Sequence, residues 1–140
     1  GRKVARDQGA AAKAFISHMQ SLDSDLCGDE DDISVIRNAL AGGIAALTQT
    51  TDWIVETNPQ NPGAVAAGAV PYLRLFGIVA GGWLMARAAL AAEKHLREDS
   101  EDGFFSAKVV SARFFADHYL IQAPSLAATV THGWNAVERY

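Results

Sequence analysis

The residues of this chain with the means to do chemistry are four histidines (His18, His95, His118 and His132), one cysteine (Cys27) and a run of acids, Asp29, Glu30, Asp31 and Asp32. Metal sites cluster their ligands. Each histidine here stands alone, with no second His or Cys three or four positions away. A di-iron bundle site needs Glu-x-x-His on two helices, and Glu93-Lys94-His95 has the wrong spacing. An EF-hand beginning at Asp29 would place Ser34 where the turn needs glycine and Leu40 where a bidentate glutamate is needed. The acids read better as the start of a helix, where carboxylates complement the dipole and cap free amides. We therefore assign no metal ligand.

Other groups fail the same kind of test. Asp52 and Glu56 lie one turn apart, as an acid–base pair would, but the end of an amphipathic helix makes them a solvated face. Gly77, Gly81 and Gly82 lack the G-x-G-x-x-G spacing of a dinucleotide turn and no strand precedes them; they read as helix-packing residues, as do Gly42 and Gly43. No basic residue stands near Cys27 to stabilise a thiolate. No nucleophile with a placed base is visible, so no catalytic or cofactor-binding residue is assigned.

Two ligand hints remain. Trp53, Tyr72, Phe76, Trp83, Phe104, Phe105, Phe114, Phe115, Tyr119 and Trp134 would either line a slot for an acyl chain between helices or simply fill the core. Arg74 and Arg87 interrupt an apolar helix. We expect them to pair with Asp52, Glu56 or Asp117, because an unpaired buried charge is costly; the alternative is a grip on a CoA phosphate.

Composition bounds the remainder. At 140 residues, 49% hydrophobic and 20% charged, the chain fits one globular domain, residues 1–140, with a continuous core. A net charge of −4 argues against a nucleic-acid surface. One cysteine excludes an internal disulfide and favours a reducing compartment. GRKVARDQG has no apolar signal region, so a cytoplasmic location is expected. Arg74 and Arg87 bracket only Leu75 to Ala86, short of the roughly 20 apolar residues a membrane span needs. The expectation is a core helix buried on nearly all sides rather than a span.

The elements that must position these residues are helical throughout. Val4, Ala11, Phe15, Met19, Leu22 and Leu26 share one face of a first helix ending near Cys27-Gly28. Ile33, Ile36, Leu40, Ile44, Leu47 and Ile54 share a face of a second, stopping at Thr57–Asn58 before NPQNPG. A third runs from about Ala64 to Leu96, bent by Pro71, and a fourth from Phe104 to Ile121. On the fourth, Phe105, Val109, Ala112, Ala116, Tyr119 and Leu120 form one apolar face, and Val110, Phe114 and Ile121 a second, nearly opposite. A helix with two apolar faces is buried twice. A short helix begun by Pro124 supplies part of the cover, and a partner surface the rest. The fold class is all-α: an antiparallel up-and-down bundle of four long helices plus a short C-terminal one.

The stretch AVPYLRLFGIVAGGWLMARAALAA (69–92), followed by ARFFADHYLIQAPSLAATVT (112–131), resembles the C-terminal region of large bacterial acyl-CoA dehydrogenases of the 3-methylmercaptopropionyl-CoA dehydrogenase-like group. GRKVARDQG is similar to that family's helix leaving the dehydrogenase core. The resemblance implies a parent oxidoreductase with FAD, oxidising an acyl-CoA between its α and β carbons. It also implies that the catalytic glutamate, in a Tyr-Glu-Gly-Thr type motif, and the flavin-binding domain lie before the position matching Gly1. Nothing catalytic carries over to these residues. The implied role is a C-terminal scaffold and oligomerisation domain in contact with the flavoprotein body and, in a homodimer, with a second subunit. Arg74, Arg87, Val110, Phe114 and Ile121 are the candidate ligand or interface residues. The competing reading is a free-standing helical module for an acyl or other apolar ligand; a protein-interaction adaptor is a third.

Overall fold

A computed structural model describes residues 2–26, 31–98, 103–137 and 139, and every regular element among them is helical. In chain order these are α1 (Arg2–Arg6), α2 (Ala10–Gln20), α3 (Asp31–Thr57), α4 (Pro62–Ala67), α5 (Ala69–Glu98), α6 (Gly103–His118), a 3-10 turn (Leu120–Gln122), α7 (Ala123–His132) and α8 (Trp134–Val137). Cys27, Asp29 and Glu30 lie outside the described residues, as do residues 99–102.

The expected first helix is two. Gln8 and Gly9 both take left-handed backbone, φ 57° and 76°. The Gly9 amide donates to the Val4 carbonyl at 2.7 Å and the Gln8 amide to Ala5, which closes α1 in a Schellman turn. Asp7 then starts α2, its carboxylate accepting from the amides of Gly9 and Ala11. A Cβ at Gly9 would also stand 3.0 Å from Val55 Cγ2. The break resets the helical phase, so Ala12, Ile16 and Met19 are buried whereas Ala11 is exposed. Leu22 and Leu26 remain buried although α2 stops at Gln20.

The second helix, α3, follows its expected face: Ile33, Ile36, Leu40, Ile44, Leu47 and Ile54 are all core residues. The third is interrupted at Gly68 rather than bent at Pro71. Asn61 Oδ1 caps α4 through the Ala64 amide at 3.0 Å, with Pro62 in the first turn. Pro71 falls in the first turn of α5, where a missing amide removes no intrahelical bond.

α5 packs on α3, α6 and α7. It buries Tyr72, Leu75, Val79, Trp83, Ala86 and Ala89. The opposite side carries Val70, Leu73, Gly77, Leu84, Ala88 and Ala91, all exposed. Burial on nearly all sides is therefore not what the helix shows, and the sequence hid this because the outward residues are themselves small or apolar. By length and composition Ala69–Leu96 would suffice to cross a bilayer, a test that core helices also pass.

Side-chain register ties the helices together. Along α3 and α5 the contacts run in opposite order, Thr51 meeting Tyr72 and Gly43 meeting Val79. Along α5 and α6, Gly81 meets Phe115 and His95 stacks on Phe105. At Gly82 an added Cβ would lie 2.8 Å from Leu120, so glycine lets the 3-10 turn approach α5. The 3-10 turn then redirects the chain. α7 packs on α3 and α5 through Ala123, Ala127 and Val130, so the second apolar face of α6 does not receive the cover expected from it.

Candidate functional site

The two arginines singled out from the sequence are on the surface. Arg74 is exposed on α5 and has no ion pair among the described residues. Arg87 is also exposed, its guanidinium carbon 4.8 Å from the centre of the Trp83 ring, a cation–π contact. Two of the three expected acid partners are engaged elsewhere: Asp52 with Lys13 at 3.7 Å and Asp117 with Arg113 at 2.9 Å. Being solvated, Arg74 and Arg87 have no buried charge to neutralise. That removes the reason for expecting the pairs.

The polar cluster that sequence reasoning missed centres on Arg113. Its guanidinium reaches Asp117 one turn on, and Asp31 and Asp32 in the first turn of α3 at 3.4 and 3.1 Å. The hydrogen bond to Asp117 does most to raise the arginine's pKa above its ordinary value; partial burial works against it. The spacing of Arg113 and Asp117 was legible as an i,i+4 pair, while the link to α3 depends on tertiary packing. The cluster fastens α6 to the start of α3 and leaves no cation free for a ligand.

The aromatic residues do not line one slot. Phe15 stacks on Phe76 (5.7 Å) and meets Trp83 edge-on (5.6 Å), and Tyr72 and His18 flank that group between α2 and α5. Phe105 stacks on His95, Phe114 on His118, and Phe115 lies against Tyr119. Trp134 is half-buried near the C-terminus, donating to the Thr131 carbonyl. A groove of about 570 Å³ beside Arg87 is lined by Leu22, Asp25, Leu90 and Lys94, with no aromatic wall. Among the described residues no three His, Cys, Asp or Glu side chains gather as a metal site.

Val110 and Phe114 on α6 and Ile121 in the turn after it are all exposed, at 61%, 54% and 70%. Residues 8–139 fit the family model described as acetyl-CoA dehydrogenase C-terminal like. The chain belongs to that family. It is also similar to the 3-methylmercaptopropionyl-CoA dehydrogenase of Ruegeria pomeroyi, 33% identical over 131 residues, which is 94% of this chain and 22% of that enzyme. The chain thus spans about a fifth of the relative it matches.

What distinguishes this acetyl-CoA dehydrogenase C-terminal-like domain is its surface. Save for Val137, the strongly exposed large apolar side chains among the described residues sit on α5, α6 and the turn after α6: Val70, Leu73 and Leu84, then Phe104 through Ile121. Exposed apolar surface of this kind marks contact surfaces where it is contiguous.

Proposed function

We propose that this chain is the C-terminal scaffold and oligomerisation domain of an FAD-dependent acyl-CoA dehydrogenase, and that the complete enzyme oxidises an acyl-CoA thioester to the 2-enoyl-CoA. The carrying observation is the family match over residues 8–139, joined to a dehydrogenase relative of which the chain spans only 22%. The helices form an up-and-down bundle, as the register of α2, α3, α5 and α6 suggests. In this reading FAD and the catalytic glutamate belong to the flavoprotein body of the same chain, and the enzyme works as a cytoplasmic homodimer. Val110, Phe114 and Ile121 meet the second subunit.

These residues act by position. A scaffold that buries apolar stripes fixes the orientation of the parts that bear the flavin and the thioester, and productive geometry is a large share of rate. The test is a tryptophan-fluorescence titration of the isolated chain with FAD and with short and long acyl-CoA, beside light scattering of the complete enzyme. No saturable change and a dimeric mass agree with the scaffold. Saturable acyl-CoA binding to the isolated chain favours the free-standing ligand module instead.

A further inference from the structure

We propose that the outer face of α5, from Val70 to Ala91, is the surface on which the dehydrogenase body of the same chain docks, distinct from the α6 stripe assigned above to the second subunit. The inference rests on the proposed parent enzyme and says which surface joins its parts. The face is apolar without interruption: Val70 and Leu73 are 78% and 73% exposed, and Leu84, Ala88 and Ala91 continue the line. At Gly77 an added Cβ would meet nothing within 4 Å. The helix therefore presents a notch between Leu73 and Leu84 that none of the described residues fills.

Where the chain arrives selects the occupant. Ala5 and Arg6 of α1 line one groove with Val65 and Ala69, and Val4 shares a second with Phe76. The middle and end of this short helix α1 therefore lie alongside the first turns of α5, near the Val70–Leu73 end of the face. In the proposed parent the body precedes α1, so it enters next to this face and is held there at high effective concentration. Most of the matched relative lies outside the region this chain covers, which is ample mass to cover a helix of this length. Charge adds a second constraint. Arg74 flanks the face on one side, exposed and with no ion pair among the described residues, and Arg87 on the other, so the docking surface of the body carries carboxylates on both sides of an apolar strip. The α6 stripe lacks that link to the point of entry.

The test uses the complete enzyme in three forms: Leu73→Glu with Leu84→Glu, Gly77→Leu, and Val110→Glu with Phe114→Glu. All five positions are exposed, and a Cβ added at Gly77 has no described residue within 4 Å. Amide hydrogen exchange reads docking, light scattering reads subunit number, and flavin absorption reads the body. The α5 variants are expected to speed exchange several-fold in α5 and in a patch of the body, with flavin and subunit number unchanged, while the α6 variant lowers subunit number. Flavin-loaded enzyme whose exchange is unaffected by the α5 variants overturns the docking proposal alone. So does a loss of subunits caused by them, which makes a second copy the occupant. A complete chain without flavin overturns both this proposal and the function it rests on.

Discussion

The Tyr72 hydroxyl of α5 lies 2.7 Å from the Thr51 hydroxyl of α3, inside the core and 21 residues away in sequence. Burial raises the tyrosine's pKa, with the Thr51 hydrogen bond opposing it. Removing one partner strands the other, so Tyr72→Phe should cost about 1 kcal/mol. Combining it with Thr51→Val should cost less than the two single changes together. Urea unfolding of the four proteins checks this.

The same pair predicts a pH dependence. Tyr72 holds its proton more tightly when folded than when unfolded, so its contribution is complete below the ordinary tyrosine value of about 10 and is lost as pH rises toward the higher folded pKa. Stability should decline above that value in the wild type and decline less in Tyr72→Phe. Equal slopes for the two proteins would remove Tyr72 from the account.

Arg113 joins α6 to the first turn of α3 through exposed or half-exposed carboxylates. Arg113→Ala should lower the urea midpoint in low salt, and the difference should shrink in high salt because solvent-accessible pairs are screened. Lys13 and Asp52, an isolated exposed pair, should give a smaller effect on substitution.

Close packing makes two glycines differ. Gly82→Ala pushes a methyl into Leu120 and should destabilise by about 1–3 kcal/mol, whereas Gly42→Ala meets nothing within 4 Å and should stabilise by up to about 1 kcal/mol. Gly9→Ala, with left-handed backbone and Val55 at 3.0 Å, should destabilise by about 1–3 kcal/mol. Thermal unfolding of the three variants distinguishes these outcomes.

The helical class, the buried face of α3 and the buried Ala112 and Ala116 of α6 were legible because a 3.6-residue period marks them directly, whereas Tyr119, read with that α6 face, lies beyond the helix end at His118 and is exposed. The breaks at Gly9 and Gly68 were not. Each depends on a local hydrogen-bond closure or a neighbouring helix, and an apolar period continues through a glycine unchanged. The outward face of α5 was read as core because Val70, Leu73 and Leu84 carry no polar residue to mark an exterior. For the same reason the candidate site was legible only in part. The exposure of Val110 and Phe114 follows from phase on one helix, whereas the free state of Arg74, the stacking of Arg87 on Trp83 and the reach of Arg113 to Asp32 depend on which helices become neighbours.

The proposal that these helices serve a flavin-dependent acyl-CoA dehydrogenase is tested most directly by anaerobic titration of the product of the complete reading frame with acyl-CoA. The expected result is a yellow protein whose flavin band bleaches on addition of the thioester as the 2-enoyl product forms. A colourless product, or a flavin indifferent to every acyl-CoA supplied, would contradict it.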